Sequence, residues 1–322
     1  MTRIILAILA SISQATKIVY LEGLKEQYAT SPDEFPMIFK WPEGDFRCGA
    51  TMISPQVALT AAHCIEKHED GANGELTIKL NSGNVHTIRE FRTNECWDFS
   101  DDADYSADIA LMILETPIED AELGTDYINV WNPEAFGDMT GREFTLAGWG
   151  SSGEVQEEGM SEDHFDSEVY HSGENVVNQI SDNMLQYTFD AEADGGLATE
   201  AMGHFGDSGS GALVRHDDGT LHIAGVKSNG EDGFFGSSHE YTRAGGITRA
   251  WIHANLDSLD ARVPVESCDA YTGVVGAAIF APGVEAETGS EEAGGAGIYA
   301  PGVEAETGGE EAGGTTPVTV DI

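Results

Sequence analysis

Three short stretches of the chain hold residue types that together could cleave an acyl bond. CGATMISPQVALTAAHC carries His63 beside Cys64, SADIALMIL carries Asp108, and GHFGDSGSGAL carries Ser208 among glycines. A serine hydroxyl is a poor nucleophile until a neutral imidazole takes its proton, and the imidazole needs an acceptor at its other nitrogen to fix its tautomer. Ser208, His63 and Asp108 can fill those three roles. Gly206 and Gly209 let the backbone turn sharply, so the amides of Gly206 and Ser208 can converge on a developing oxyanion.

These residues must be held by elements the sequence also suggests. Thr51 to Ile53, Val57 to Thr60, Leu76 to Leu80, Val85 to Phe91, Ile109 to Leu114, Phe144 to Ala147 and Leu221 to Val226 are short runs rich in β-branched and apolar residues. Gly, Asn and Asp clusters separate them, which predicts an all-β antiparallel sandwich or barrel. One helix is expected, near residues 247 to 259, with Ile247, Trp251, Ile252, Leu256 and Leu259 on its buried face. It should close the globular domain at about residue 262.

Taken together and in this order, TAAHC, DIAL and GDSG resemble the trypsin and chymotrypsin family of serine endopeptidases, with GWG at Gly148 to Gly150, YTR at Tyr241 to Arg243 and the terminal helix in support. The resemblance spans residues 31–262. It implies two six-stranded antiparallel β-barrels with the site between them, His63 and Asp108 coming from the first and Ser208 from the second. It also implies a serine-type endopeptidase that works through an acyl-enzyme, needs no cofactor or metal, acts as a monomer on protein or peptide substrates, and meets protein inhibitors. Cys48 and Cys64 are assigned by the resemblance to one disulfide, which leaves Cys96 and Cys268 as the other pair.

The specificity residues depart from the trypsins. Met202 stands at the pocket floor where trypsins carry an aspartate, so cleavage after Arg or Lys is disfavoured. Ser228, Asn229 and Gly230 match the segment that pairs with substrate backbone, and Gly230 would leave the pocket mouth open. Lys227 falls where relatives place an apolar pocket residue, with His239 near the far wall. Two cationic groups there would favour an acidic side chain, although the more ordinary reading turns one or both to solvent. Asp207 matches the family's activation aspartate, and cleavage after Lys17 would free the Ile18 amine to pair with it. An inserted loop around Glu22 to Tyr28 would absorb the extra length before Pro36. The alternative, from another functional class, is a catalytically silent homologue serving as a binding or adhesion module.

Composition sets the outer bounds. Fifty-seven acidic against fifteen basic residues give a formal charge of -42, which excludes a nucleic-acid surface and disfavours an anionic membrane. Arg3, the apolar run Ile4 to Ile12, and Ser13 and Ala15 have the form of a signal peptide over residues 1–15, followed by a short pro-segment over 16–30. Export would place the protein outside the cell and make disulfides the default. From Ala281 and again from Ala300 a Gly/Glu/Ala unit repeats without a Lys or Arg; residues 263–322 are therefore read as a flexible acidic tail, removable from residue 270 onward. The acidic run Asp98, Asp101, Asp102 and Asp104 fits no EF-hand spacing and reads as a solvated loop rather than a calcium site. By the resemblance the Glu66 to Glu75 loop lies where some relatives bind calcium, but it meets no fixed ligand spacing and the solvated reading is preferred. His164, His171, His204, His216 and His222 lack metal-ligand spacing and read as surface residues.

Overall fold

The computed structural model describes residues 18–20, 25–42, 48–69, 76–98, 105–123, 127–150, 152–156, 159–160, 169–181, 183–230, 234–269 and 271. The signal-peptide segment, the acidic loops at 70–75 and 99–104, His164 and the repeats all lie outside the described residues.

Each β-branched run becomes a strand. The first sheet has six antiparallel strands in the order Ile38–Trp41, Cys48–Ser54, Val57–Thr60, Ala110–Leu114, Val85–Thr93 and Thr77–Lys79. Asn81 Nδ2 donates to the Ile38 carbonyl at 2.8 Å and draws the two edge strands together, so the sheet curls into a barrel. Every residue of Val57–Thr60 and Ala110–Leu114 is buried. These two strands run through the middle of the core and read as continuous apolar segments, without alternation.

The second sheet follows the path His171–Val176, Glu143–Gly148, Gly211–Arg215, Leu221–Gly230, Ser238–Arg243, Met184–Thr188 and Gln179–Ser181, with Asn129–Val130 alongside Leu221–Gly230. That makes seven strands along the path where six are expected. Asn175 Nδ2 bridges from the first of them to the Thr188 carbonyl at 3.1 Å, so the ring closes across six strands and Gln179–Ser181 is a short hairpin arm. The core here is largely aromatic, with Phe144, Tyr187 and Tyr241 meeting edge to face or tilted at centroid distances of 5.1 to 5.7 Å. A smaller sheet holds Ile18–Tyr20 between Ser152–Gln156, parallel, and Ala201–Met202, antiparallel.

Three expectations are corrected. A second substantial helix, Ala62–Glu69, follows the Val57–Thr60 strand and carries His63 in its first turn; eight residues are too few for a clear helical period. The terminal helix is Gly246–Leu256, but Ile247 is 39% exposed, and the buried positions are Thr248, Trp251, Ile252 and Asn255. Polar Thr248 and Asn255 replace it on the inner face because each finds a buried partner: Thr248 accepts from Asn183 Nδ2 (2.7 Å), and Asn255 donates to the Trp251 carbonyl (3.0 Å). The globular part also extends past residue 262. Tyr271 is buried, receives Asn94 Nδ2 at its hydroxyl (3.0 Å) and Ser106 Oγ at its carbonyl (2.8 Å), and follows the Cys96–Cys268 disulfide.

Arg92 fastens the end of the terminal helix to the first barrel. Its side chain is fully buried and donates to the Ser258 carbonyl (2.9 Å), Asn255 Oδ1 (3.1 Å), the Leu259 carbonyl (2.6 Å) and the Glu90 carboxylate (3.0 Å). These bonds satisfy the two terminal nitrogens, which offsets much of the cost of burying the guanidinium, while Nε has no partner among the described residues.

Candidate active site

Val57–Thr60 delivers the chain to the helix at Ala62–Glu69, whose second residue is His63. The Cys48–Cys64 disulfide ties that turn to the neighbouring strand. Asp108 arrives from the other side, just after the Tyr105–Ala107 turn, and its amide donates to the Tyr105 carbonyl at 3.1 Å. This turn is held from several directions. Thr242 Oγ1 donates to the Tyr105 carbonyl (2.8 Å), Asn183 Nδ2 to the Ser106 carbonyl (2.8 Å), and Ser106 itself to Tyr271.

The Asp108 carboxylate is wholly buried and receives three donors. The His63 amide reaches Oδ1 at 2.9 Å, His63 Nδ1 reaches Oδ2 at 2.7 Å, and Ser228 Oγ donates to Oδ2 at 2.5 Å. Three charge-assisted bonds offset the cost of desolvating the carboxylate. They also leave His63 with its Nδ1 proton engaged and Nε2 as the basic nitrogen.

Ser208 is half-buried on the turn between Ala201–Met202 and Gly211–Arg215. Its carbonyl accepts the Gly49 amide at 2.6 Å, and the Cys64 sulfur lies 3.7 Å both from that carbonyl oxygen and from His63 Nε2. The serine and the imidazole thus flank the same disulfide. Ser208 Oγ forms no hydrogen bond among the described residues, and such bonds commonly tighten only when substrate is bound. Gly206 and Gly209 have φ of +88° and +81°, a region open to glycine at no steric cost. The amides of Gly206 and Ser208 donate to nothing among the described residues. The neighbouring amides are occupied: Gly209 donates to Lys227 and Ser210 to Asp207.

Asp207 points the other way, into the protein. Its buried carboxylate accepts the Gly150 amide (3.0 Å) and the His204 amide (3.2 Å), and burial pushes its pKa up to about 7. Ile18–Tyr20 pairs through its backbone with Ala201–Met202, bringing the segment expected to hold the new terminus to the strand that leads to Asp207.

The specificity residues gather behind Ser208. Met202 is fully buried, its sulfur 3.6 Å from Ser237 Oγ. Lys227 and His239 are both buried, which overturns the reading that turned one or both to solvent: each lies on an inner strand, Leu221–Gly230 or Ser238–Arg243, facing the barrel. Gly230 is exposed at the mouth. Among the remaining histidines, His171 and His222 are buried rather than on the surface, because strand register turns them inward; His204 and His216 are half-buried. Cys48, His63 and Cys64 lie close enough together to suggest a metal set, but the two sulfurs are joined in the disulfide and offer no thiolate. Sequence reasoning missed the Ser228–Asp108 bond, placing Ser228 only in the substrate-pairing strand.

Among the described residues no helix is long and apolar enough to cross a membrane. The two disulfides are typical of secreted proteins. Residues 26–248 match the protein family described as Trypsin, a span that takes in His63, Asp108, Ser208 and both barrels. With two barrel-like antiparallel sheets, a terminal helix and a match over more than half its length, the chain belongs to the trypsin family of serine proteases.

Proposed function

We propose that the protein is a secreted serine endopeptidase. Ser208 Oγ attacks the substrate carbonyl while His63 Nε2 takes its proton; the same proton passes to the leaving amine as the C–N bond breaks, and water then repeats the sequence on the acyl-enzyme. Asp108 holds the imidazole, and the Gly206 and Ser208 amides receive the oxyanion, where one such donor is worth about 2.7 to 4 kcal/mol. The observation that carries this reading is the buried Asp108 carboxylate bonded twice to His63, with Ser208 on the far side and two amides left without acceptors.

Buried Met202 and the Lys227 cation near the pocket speak against cleavage after Arg or Lys. Asp207 is a buried carboxylate with only amide partners, which suits a cation that arrives later; cleavage after Lys17 would supply the Ile18 amine. Peptide and protein substrates, and inhibitors that imitate them, are its partners. The competing reading is a silent homologue used as a binding module, and the presence of His63, Asp108 and Ser208 in one chain weighs against it.

The test is labelling with a fluorophosphonate. Covalent labelling of the processed wild type, lost in Ser208→Ala, supports the peptidase. Absence of labelling in correctly processed wild type favours the silent homologue.

A further inference from the structure

Lys227 carries a buried ammonium that no carboxylate neutralises at contact among the described residues. Its side chain runs past Gly203, where a Cβ would sit 3.3 Å from Cδ and Cε, and ends at Gly230, where a Cβ would sit 3.0 Å from Nζ and closer still to His239 Nδ1. Nζ donates to the carbonyls of Asn229 and Glu240 (3.5 Å) and stands 5.8 Å from the Tyr241 ring centroid. Asp207 and Glu240 attract it only from beyond ion-pairing distance, and the Glu240 carboxylate already receives Gln186 Nε2 at 2.8 Å. Burial accordingly holds the ammonium down to about 7.

His239 stands beside it, fully buried. Its Nε2 lies 2.9 Å from Ser237 Oγ, while Nδ1 has no partner among the described residues and faces the space that glycine leaves at position 230. In the tautomer in which the Ser237 hydroxyl donates to Nε2, the ring carries its proton on Nδ1 and offers a second donor toward that space. An ammonium and a ring nitrogen thus converge beside an exposed glycine, with no acceptor of opposite charge in contact among the described residues.

We propose that Lys227 and His239 form the base of a pocket that takes an acidic side chain, its carboxylate pairing with Lys227 Nζ and accepting from His239 Nδ1. The inference rests on the peptidase reading and names its substrate class: peptides with Asp or Glu before the cleaved bond. An arriving carboxylate restores the charged form of the lysine that burial opposes. An amide of the same shape leaves the cation unpaired, and an Arg or Lys side chain brings a like charge to it.

The experiment compares peptides that differ only in the residue before the cleaved bond, namely Glu, Gln, Asp, Asn, Leu and Arg, on full-length enzyme whose active sites are counted with a fluorophosphonate. Glu should exceed Gln in kcat/KM by at least about tenfold. Lys227→Met should bring that ratio toward one, and Lys227→Arg should keep it well above one. The wild-type ratio is decisive even if neither variant folds. Labelled enzyme that cleaves the Glu and Gln peptides equally, or prefers Leu or Arg, overturns the acidic pocket and leaves the peptidase standing. Enzyme that is neither labelled nor cleaves any peptide overturns both.

Discussion

The amide of Gly49 donates to the carbonyl of Ser208 at 2.6 Å, a hydrogen bond that crosses from the first barrel to the second. Thr60 Oγ1 donates to the Gly49 carbonyl at 2.8 Å on the strand that leads to His63. One residue beside the Cys48–Cys64 disulfide therefore sets the turn of Ser208 against that of His63. The approach is close because Ser210 packs directly on Gly49: a Cβ there would meet Ser210 Oγ, and would lie 2.9 Å from Ser210 Cβ.

Gly49→Ala should consequently force the two barrels apart at the site. Overpacking of this kind costs about 1 to 3 kcal/mol. A lower melting temperature together with a fall in kcat is expected, measured by thermal unfolding and active-site-titrated turnover. Unchanged values for both would show that this contact does not set the position of Ser208.

Under the proposed peptidase reading, Ser228 would act through Asp108, as a positioning residue. Removing its hydroxyl deletes a donor to a buried carboxylate, a bond worth about 1.5 to 3 kcal/mol. Ser228→Ala should lower kcat by about tenfold or more with little change in KM, and Ser228→Thr, which keeps the hydroxyl, should recover part of it. An effect confined to KM would instead assign Ser228 to substrate pairing alone.

Asp207 makes the stability of the uncleaved chain depend on pH. Its folded pKa is raised from 3.8 to about 7, so the folded state holds a proton that the unfolded state has already lost. Stability should therefore fall as pH rises through that window. Urea unfolding of Ser208→Ala should show this decline between about pH 4 and pH 7, and adding Asp207→Asn should reduce its slope, the remainder coming from Glu200, whose burial likewise raises it to about 7. A processed chain with a free Ile18 amine should show less decline, because the new cation favours the ionised carboxylate. Equal slopes in the cleaved and uncleaved chains would remove Ile18 as the partner.

The end of the globular part can be located by two changes. Tyr271→Ala removes a buried ring and the hydroxyl that accepts from Asn94, and should cost about 3 kcal/mol, by analogy with Phe→Ala in cores. Deleting residues 277–322 should leave both the melting temperature and peptide cleavage unchanged. Loss of folding on that deletion would make the repeats a structural element.

The His, Asp and Ser stretches were legible because each carries its chemistry in a few adjacent residues. The strands were legible because β-branched runs punctuated by glycine and aspartate leave little choice of conformation. Tyr271 was not: composition averages over a window, and one aromatic ring at the edge of an acidic, glycine-rich stretch does not alter the average. Ile247 failed for a related reason. Helical periodicity places it near Trp251, yet the inner face was decided by where Asn183 and Arg92 had side-chain hydrogen bonds to give.

By itself the sequence determined the fold class and the chain order of the candidate residues His63, Asp108 and Ser208. Only the tertiary structure decided where Lys227 and His239 point, because a residue's partner across a sheet depends on register, and a slip of one position would have sent both side chains to the opposite face. It decided, likewise, that Ser228 Oγ reaches Asp108 across 120 residues of chain. Burial does the rest: a lysine that would be an ordinary solvated cation becomes, between Gly203, Gly230 and His239, a desolvated charge.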